Sequence, residues 1–479
     1  MQQHSQSPKK RKLVLFFTYG VMTMAVALIS AVCIFLVLGY RFDFKNGDVE
    51  QGALLQFRSF PSGATINLDN ETLSFVTPGK RNISLGQHNV TMGLDGYEFW
   101  KKTFSVKASE LRWLNYARLV PKEIKTTDVK EFAAIAGLLP SPDKKWMILS
   151  PVAEKPEFTL VDIRDEDKPA FASLNLPAGS YTQKEGHPHK FSLVEWDFGA
   201  RYVLVKHEIG DVSEYLRIDR TDADSTVNIS NVLGLKLTDI HFSGTSGAVF
   251  YALENGAIRR LDSNSGTISQ PIVRDVSAFE VFKTETLSYV KQPINDRVGV
   301  GIVVNGKASR VATYDNSLPI FVDVNEYFND YYFAIARGTQ VELYKDPESR
   351  NREKLKTTTS PTALAWTQFS NNGRFVVAGN GSQFTTYDIE TNVVTDVNLP
   401  GTVASPTEPL QWLDDYYMVS TADNSLRITE FDGANQHVIT PSVSGFPVTL
   451  NGNGKLMYSL GKTQSGAFVL QSSRMTIEE

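Results

Sequence analysis

Cysteine is nearly absent from this chain. Its 479 residues include one cysteine, Cys33, which lies inside the longest apolar run. An intramolecular disulfide is therefore excluded, so any exported portion must be stable through burial alone, which a hydrophobic content of 42% permits. A long exported region without disulfides argues against an animal extracellular protein and favours a bacterial surface protein.

An excess of charge of one sign is also absent. The 48 Lys and Arg residues nearly balance the 53 Asp and Glu residues, which leaves a net charge of −5. The one basic cluster is short and N-terminal: Lys9, Lys10, Arg11 and Lys12. Because nucleic acid is bound through an extended basic surface, this composition argues against a nucleic-acid partner.

Histidine, a common metal ligand, is scarce. Among the 7 histidines, His187 and His189 form the one close pair, with Glu185 as their single acidic neighbour. Two histidines and a carboxylate can in principle ligate a metal. The flanking Lys184 and Lys190 oppose a cation, so we interpret the segment as a solvated loop.

Other catalytic and metal motifs are incomplete. Asp219, Asp222 and Asp224 begin like a calcium loop, but Ser225 stands where that loop needs glycine, so we predict a charged turn. No Gly-x-Ser-x-Gly motif occurs, and no cysteine lies outside the apolar run, which excludes a nucleophile elbow and a thiol pair. We therefore expect no catalytic, cofactor-binding or metal site and no cofactor. A carboxylate pair in a central channel stays open.

The strongest positive signal is the apolar run behind the basic cluster. Residues 13–40 are uncharged and mostly apolar. A helix of about 28 residues reaches about 42 Å, enough to cross a hydrocarbon core of about 30 Å. We predict a transmembrane helix over 13–40 and a cytoplasmic basic tail over 1–12, because positive charge is retained inside. Its expected membrane anchors include Leu13, Phe16, Val21, Ile29 and Leu38.

A cleaved signal peptide is the rival interpretation of this run. Signal peptides have an apolar segment of about 7 to 15 residues followed by a small-residue cleavage site. This run is about twice as long, so we favour an uncleaved anchor. The polar residues 41–52 are then a juxtamembrane stalk, and the bulk of the chain is extracytoplasmic.

Residues 53–121 predict a small β-sandwich. Six or seven short segments of alternating apolar and polar residues follow one another, separated by turns at residues 60–63, 77–80 and 85–88. Short strands at this spacing are typical of a sandwich. The segment's aromatic residues Tyr97, Phe99, Trp100 and Trp113 fit core and edge packing, whereas a sugar platform would need several of them exposed on one face.

Phrases in this segment resemble the PEGA domain of bacterial and archaeal surface proteins. They are a Pro-Ser-Gly-Ala turn, a strand ending at Asp69, a Thr-Pro turn, a Leu-Gly-Gln-His turn and a Gly-Tyr pair. Ser replaces the usual Glu and Asn70 an expected Gly, and both suit turns. The resemblance implies a β-sandwich of envelope-associated proteins and no catalysis. The motif residues are Pro61, Ser62, Gly63, Ala64, Thr77, Pro78, Gly86, Gly96 and Tyr97.

Residues 125–479 repeat a β pattern. Apolar strand cores recur about 39 to 56 residues apart, and many precede a second strand. This period matches one blade of a β-propeller, whereas tandem sandwiches would repeat about every 90 to 100 residues. A β-helix would need shorter coils. The cores are residues 146–149, 202–205, 248–252, 287–290, 332–335, 375–378, 417–420 and 456–460.

Two turns in this region resemble those of TolB-like and WD40-like propellers. In each, a serine, Ser141 or Ser370, is followed two residues later by Asp143 or Asn372 and then by an apolar strand. The phrase at residues 196–203 aligns with the second turn. The units near residues 287 and 456 match poorly, so the prediction is a propeller of seven or eight blades.

The sequence therefore predicts a mainly β, single-pass protein of the cell membrane, with a non-catalytic binding or scaffold role in the bacterial envelope. The expected partners are the lipid bilayer and an envelope glycan or surface protein. Two alternatives stay open: a propeller enzyme acting on envelope polysaccharide, and an assembly scaffold for another membrane protein. An enzyme would bring acidic or aromatic residues together at one mouth of the ring, and a scaffold would expose an apolar patch.

Overall fold

The computed structural model describes residues 8–37, 40–42 and 49–477. The described chain is mainly β, as the sequence predicts, and divides into two compact units, Met1–Lys122 and Glu123–Glu479.

The apolar run forms helix α1 (Pro8–Val37). Its stretch Leu15–Phe35 has a mean hydropathy of 2.0 and none of its side chains is buried, so it is long and apolar enough to span a membrane. A signal sequence would meet the same criteria. Helix α1 ends at Val37, before the predicted boundary at residue 40, and Tyr40 belongs to strand β1 (Tyr40–Phe42). Strand β1 pairs with β2 (Val49–Gln51) within the predicted stalk.

The predicted anchor residues lie in α1 where the structure describes them. Phe16, Val21 and Ile29 expose 79%, 61% and 61% of their surface, as lipid-facing side chains would. Leu13 lies in the same helix, and Leu38 lies outside the described residues. The helix also contains the basic cluster Lys9, Lys10, Arg11 and Lys12.

Residues 53–118, all described, form a sandwich of seven strands. A three-stranded sheet has the order β6-β3-β9, in which β3 and β9 run parallel, and a four-stranded sheet has the order β5-β4-β7-β8. Alternate residues of β3, such as Leu55 and Phe57, point into the shared core. The strands are β3 (Ala53–Phe60), β4 (Thr65–Leu68), β5 (Glu71–Val76), β6 (Gly79–Ile83), β7 (Gly86–Gly93), β8 (Trp100–Val106) and β9 (Leu111–Arg118).

Residues 126–474, all described, form eight four-stranded antiparallel sheets, which we name blades 1 to 8. Blades 1 to 7 are each built from four consecutive strands. The region begins with β10 (Thr126–Phe132), which belongs to blade 8. Blade 1 contains β11 (Gly137–Pro140), β12 (Trp146–Ser150), β13 (Glu157–Asp162) and β14 (Ala170–Asn175). Blade 2 contains β15 (His189–Trp196), β16 (Tyr202–Ile209), β17 (Val212–Asp219) and β18 (Asp222–Asn228). After the short helix α2 (Ile229–Leu233) come, in blade 3, β19 (Leu237–Phe242), β20 (Val249–Glu254), β21 (Ala257–Asp262) and β22 (Thr267–Ile268).

The remaining blades follow the same order along the chain. They contain, in blade 4, β23 (Val276–Lys283), β24 (Thr286–Lys291), β25 (Arg297–Val304) and β26 (Lys307–Asp315); in blade 5, β27 (Ile320–Tyr327), β28 (Asp330–Arg337), β29 (Gln340–Lys345) and β30 (Glu353–Thr359). Next come, in blade 6, β31 (Trp366–Phe369), β32 (Phe375–Asn380), β33 (Gln383–Asp388) and β34 (Val393–Asn398); in blade 7, β35 (Gln411–Trp412), β36 (Tyr417–Ser420), β37 (Ser425–Glu430) and β38 (His437–Pro441); in blade 8, β39 (Thr449–Leu450), β40 (Leu456–Lys462) and β41 (Phe468–Arg474).

Blade 8 joins the two ends of the propeller region. Strand β10 pairs with β41, so Thr126 lies opposite Ser473 in the same sheet. One apolar core then connects blade 8 with blade 1, through residues such as Leu456 and Leu138. Pairing the first strand with the last blade leaves few free sheet edges. The predicted propeller is confirmed, and the number of blades is eight.

The eight predicted apolar cores fall on the second strands of the eight blades, from β12 to β40. These strands are buried because each lies inside its sheet and packs against neighbouring blades. Ile148 of blade 1, for example, shares a core with Val205 of blade 2. The apolar runs in the sequence therefore mark the second strand of each blade, which has a paired strand on each side and packs against neighbouring blades.

A repeated hydrogen bond closes the turn between the first and second strands. A side-chain oxygen at the start of the turn accepts from the backbone N–H five residues later. The bonds run from Trp146 N to Ser141 (3.0 Å), Tyr202 N to Asp197 (2.7 Å), Phe375 N to Ser370 (3.0 Å) and Leu456 N to Asn451 (3.0 Å). The turn near residue 456 is thus regular although its sequence matches poorly.

Equivalent positions in two of these turns predict different responses to substitution. Gly373 has φ +75°, and an added Cβ would lie 2.3 Å from the Glu326 carbonyl oxygen. We expect Gly373→Ala to lower the free energy of unfolding by about 2 to 3 kcal/mol. Ala200 occupies the same turn position at φ +54°, so Ala200→Gly should be near neutral. Urea unfolding of the full chain in detergent measures both, and equal losses would contradict the strain explanation.

Candidate binding site in the propeller

The first strands of the blades face the centre of the ring. Neighbouring first strands pack against each other, as β11 does with β15 and β27 with β31. Six consecutive blades carry a polar side chain on this strand, directly before its last residue in four blades and in the middle of the strand in the other two. We name these residues the channel ring: Glu195, His241, Glu280, Asp323, Gln368 and Gln411.

The channel ring links neighbouring blades by hydrogen bonds. Four of its members reach the backbone of the next blade. Phe242 N donates to Glu195 (2.5 Å), Phe369 N donates to Asp323 (2.7 Å), Gln368 Nε2 donates to the Leu410 carbonyl (2.6 Å) and Val448 N donates to Gln411 Oε1 (2.8 Å). The ring therefore fixes the blades around the centre as well as lining it.

His241 carries a positive charge in this ring. Its Nδ1 lies 2.9 Å from Glu195 Oε2, and its Nε2 lies 3.5 Å from Asp239 Oδ2. Burial alone would lower the pKa of His241, but the hydrogen bonds to Asp239 and Glu195 and the charge of Glu280 raise it to about 10. His241 is therefore an imidazolium at neutral pH and balances the carboxylates on its side of the ring.

Asp323 and Glu280 are carboxyls with raised pKa values. Burial raises the pKa of Asp323 to about 7, against the opposing hydrogen bonds from Phe369 and Val324 and with help from Glu280. Desolvation by the surrounding strands also raises the pKa of Glu280, although its side chain is exposed in the channel, and the charge of His241 partly offsets this rise. Such shifts are concentrated at functional sites, although structural networks produce them as well.

A cavity of about 500 Å³ opens beside these two carboxyls. Its walls come from the first strands of blades 4, 5 and 6, from β24 of blade 4 and from the segment that precedes β35. Most of the lining is apolar, with a few polar groups among aromatic and aliphatic side chains, as in ligand-binding pockets of this size.

The metal candidate in the sequence, His187 and His189 with Glu185, is arranged differently from a metal site. His189 Nδ1 lies 2.9 Å from His207 Nε2, and His207 Nδ1 lies 2.8 Å from Glu214 Oε1. His207 and Glu214 are fully buried, whereas His187 and Glu185 are exposed. Among the described residues, no group of three or more His, Cys, Asp or Glu could hold a metal ion.

The predicted charged turn contains an ion pair. Arg201 Nη2 lies 2.8 Å from Asp219 Oδ2, and Asp219 also accepts hydrogen bonds from the Thr221 N–H and hydroxyl. Asp222 caps its own turn by accepting from Asp224 N (3.2 Å). These contacts explain the three aspartates as turn and strand-end residues.

In the N-terminal sandwich, the two predicted proline turns meet. Thr77 Oγ1 accepts from Ala64 N (2.9 Å) and lies 2.6 Å from Ser59 Oγ, while Gly63 N donates to the Thr77 carbonyl (2.8 Å). Residues 53–121 match the family model of the PEGA domain. The chain contains a PEGA domain. The resemblance of residues 53–121 to the PEGA domain, predicted from the sequence, is thereby confirmed. The two proline turns form one buried hydrogen-bonded unit.

The other motif residues of the PEGA domain lie at turns and in the core. Gly63, Gly86 and Gly96 all have positive φ, and Asn70 adopts φ +69° in place of the expected glycine. Tyr97 is buried. The remaining motif residues, in the first and second proline turns, are Pro61, Ser62 and Pro78.

The aromatic residues of the PEGA domain divide into two groups. Trp100 and Tyr97 are buried in the core, as the packing interpretation predicts. Phe99 and Trp113 expose 56% and 39% of their surface. Packing therefore explains only part of this set.

Among solved structures, the chain is similar to β-propellers at low sequence identity. The Dos1 propeller is 10% identical with a TM-score of 0.45 and covers 73% of this chain and 95% of its own. The Myceliophteria thermophila Cps50 (Swd1) propeller domain is 9% identical with a TM-score of 0.39 and covers 73% and 99%. An oligogalacturonate lyase in complex with manganese is 10% identical with a TM-score of 0.38 and covers 62% and 95%. No curated protein matches this chain.

The channel ring was not predicted from the sequence, although a weak signal for it exists. In four blades, a polar residue directly precedes an aromatic one: Glu195-Trp196, His241-Phe242, Gln368-Phe369 and Gln411-Trp412. Aligning the repeats on this pair would have placed those four residues at one position. The network of His207 and Glu214 has no comparable signal, since its residues alternate like those of any half-buried strand.

Proposed function

We propose that this protein is a single-pass membrane protein whose PEGA domain and propeller act outside the cytoplasm as a non-catalytic binding or scaffold module of the bacterial envelope. The supporting observation is helix α1, in which the apolar side chains of Leu15–Phe35 are all exposed and follow a basic cluster. A helix of this kind is stable where lipid covers it. The basic cluster favours a cytoplasmic N-terminus.

The propeller supports the binding role. A rigid ring of blades presents loops on two faces and a polar centre, an arrangement that suits recognition of a protein or of an envelope glycan. In this chain the centre carries charged and polar side chains on six consecutive blades, and a cavity adjoins them.

Retention of an envelope component by the full chain tests this proposal. The detergent-solubilised protein is immobilised and exposed to intact envelope glycan and, separately, to solubilised membrane proteins. A chain ending at residue 52 is the control, since it keeps the helix and lacks both β domains. We expect one fraction to be retained by the full chain alone. Equal retention by the two proteins would contradict the binding role.

A propeller enzyme acting on envelope polysaccharide is the second candidate. The observation in its favour is that two carboxyls of raised pKa, Glu280 and Asp323, line the same cavity. Glycoside hydrolysis uses such a pair. Release of reducing sugar ends from the retained glycan would favour the enzyme over the binding module.

A further inference from the structure

The cavity in the propeller combines apolar walls with two carboxyls. Phe282, Phe321 and Pro409 contribute apolar surface, and Glu280 and Asp323 contribute two carboxyls. The described residues that line it include no Lys, Arg or His, and the one cation that acts on these carboxyls is His241, whose charge reaches Glu280 from β19. Asp323, in addition, takes part in no ion pair among the described residues, unlike Glu195, which contacts His241.

Two buried polar groups in the cavity wall lack hydrogen-bond partners. The Ser288 hydroxyl and the Trp366 indole N–H make no hydrogen bond within the described chain, and these residues are 0% and 2% exposed. Ser288 lies directly opposite Glu280 across strands β23 and β24. A buried polar group without a partner costs about 1 to 3 kcal/mol. Both residues are among those that line the cavity.

These features together define the ligand. The carboxyls attract a cation, and the aromatic walls accommodate both a cation and an alkyl chain. A long-chain amine or guanidine has both properties.

We propose that this cavity binds an alkylammonium or alkylguanidinium group carried on an apolar stem. The group comes from a lysine or arginine side chain of a partner polypeptide or from a free amine. This inference deepens the proposed binding role and rests on it.

Four small probes test the proposal with the full chain in detergent. Nα-acetyl-lysine methylamide presents the ammonium group, the stem and a carbonyl group, and Nα-acetyl-norleucine methylamide lacks the ammonium group. Hexylamine and hexanol are a second pair, one with and one without the ammonium group, and both lack the carbonyl group. By titration calorimetry we expect each amine to bind at least about tenfold more tightly than its neutral partner. The lysine derivative binding more tightly than hexylamine would indicate a polypeptide source, and equal affinities a free amine.

Glu280→Gln is the informative variant. Glu280 makes no hydrogen bond within the described residues, so removing its charge leaves the strand pairing intact. We expect affinity for the lysine derivative to fall about tenfold while affinity for the norleucine derivative is unchanged.

Proton release gives a further readout. Asp323 faces Glu280 of β23 and the Phe369 amide of β31, and a bound cation would lower its pKa from about 7. Binding at neutral pH should therefore release protons into the buffer, and affinity should fall between about pH 8 and about pH 6.

Equal binding of the charged and neutral probes, absence of binding by either amine, or an unchanged affinity in Glu280→Gln would each overturn the inference. Retention of an envelope component together with any of these results would leave the proposed binding role standing and reject the cationic ligand alone.

Discussion

Glu214→Ala is expected to lower the free energy of unfolding by about 3 to 5 kcal/mol. Glu214 is buried and accepts three hydrogen bonds, from His207 Nδ1 (2.8 Å), Thr182 N (2.7 Å) and the Thr182 hydroxyl (2.7 Å). Its removal leaves these donors without an acceptor in the interior of blade 2. Urea unfolding of the full chain in detergent measures the loss.

An exposed carboxylate of the same blade is the control. Asp211 pairs with Lys184 and is 83% exposed, so Asp211→Ala should cost less than about 1 kcal/mol. A loss for Glu214→Ala as small as that for Asp211→Ala would show that the buried network does not hold blade 2 together.

The pH dependence of the same variant provides a second check. Burial alone would raise the pKa of Glu214, but the hydrogen bonds from His207 and Thr182 help to lower it to about 2. A lowered pKa in the folded state contributes stability that is complete above about pH 4.5 and is lost as the pH falls towards 2. The difference between wild type and Glu214→Ala should therefore shrink over this interval, and a constant difference would contradict the assignment.

Asp388→Ala should cost about 3 to 5 kcal/mol, and the matched Asp219→Ala about 1 to 2 kcal/mol. Both aspartates bind an arginine and the backbone N–H of a following turn. The arginines differ in burial, because the side chain of Arg374 is 6% exposed and that of Arg201 is 56% exposed. Loss of Asp388 therefore removes the paired carboxylate from a buried guanidinium, whose 2.6 Å contact with Glu390 remains.

The comparison of these two variants isolates the burial of the arginine. Asp388→Ala combined with Arg374→Met should recover part of the loss, since the buried charge is then removed as well. Equal losses for the two aspartates, measured by urea unfolding, would mean that turn hydrogen bonds and not arginine burial determine the effect.

The blades were predictable because their second strands are buried on both faces. Segments such as residues 202–205 and 375–378 are apolar without interruption, and they recur at the length of a blade. The PEGA domain was predictable for a different reason, since the Thr77 and Gly63 turns require particular residues that form a recognisable phrase.

The number of blades required the structure. Blade 8 takes its outer strand from β10, and Thr126 contacts Ser473 across 347 residues of sequence. Counting units along the chain cannot reveal this pairing. The regular turn at Asn451 also has a sequence unlike that of Ser370, because asparagine supplies the same side-chain acceptor.

The channel ring escaped prediction because its members are separated in sequence by a whole blade. Asp323 and Glu280, for instance, become neighbours only when the blades assemble. The carboxylate pair that the sequence left open is therefore present as two carboxyls in one cavity. Side-chain polarity alone could not distinguish these two from the acidic residues that solvate the surface.

The most direct test of the proposed function is the topology of the chain in intact cells. The protein has a single cysteine, so Cys33→Ser gives a background free of thiols. In this background, Gln464→Cys places a thiol on an exposed turn of blade 8 and Ser5→Cys places one in the basic tail. We expect a membrane-impermeant maleimide to label Gln464→Cys in intact cells, and Ser5→Cys only after permeabilisation. Labelling of Ser5→Cys in intact cells, or a mature chain that lacks the basic tail, would contradict a membrane-anchored protein with a cytoplasmic N-terminus.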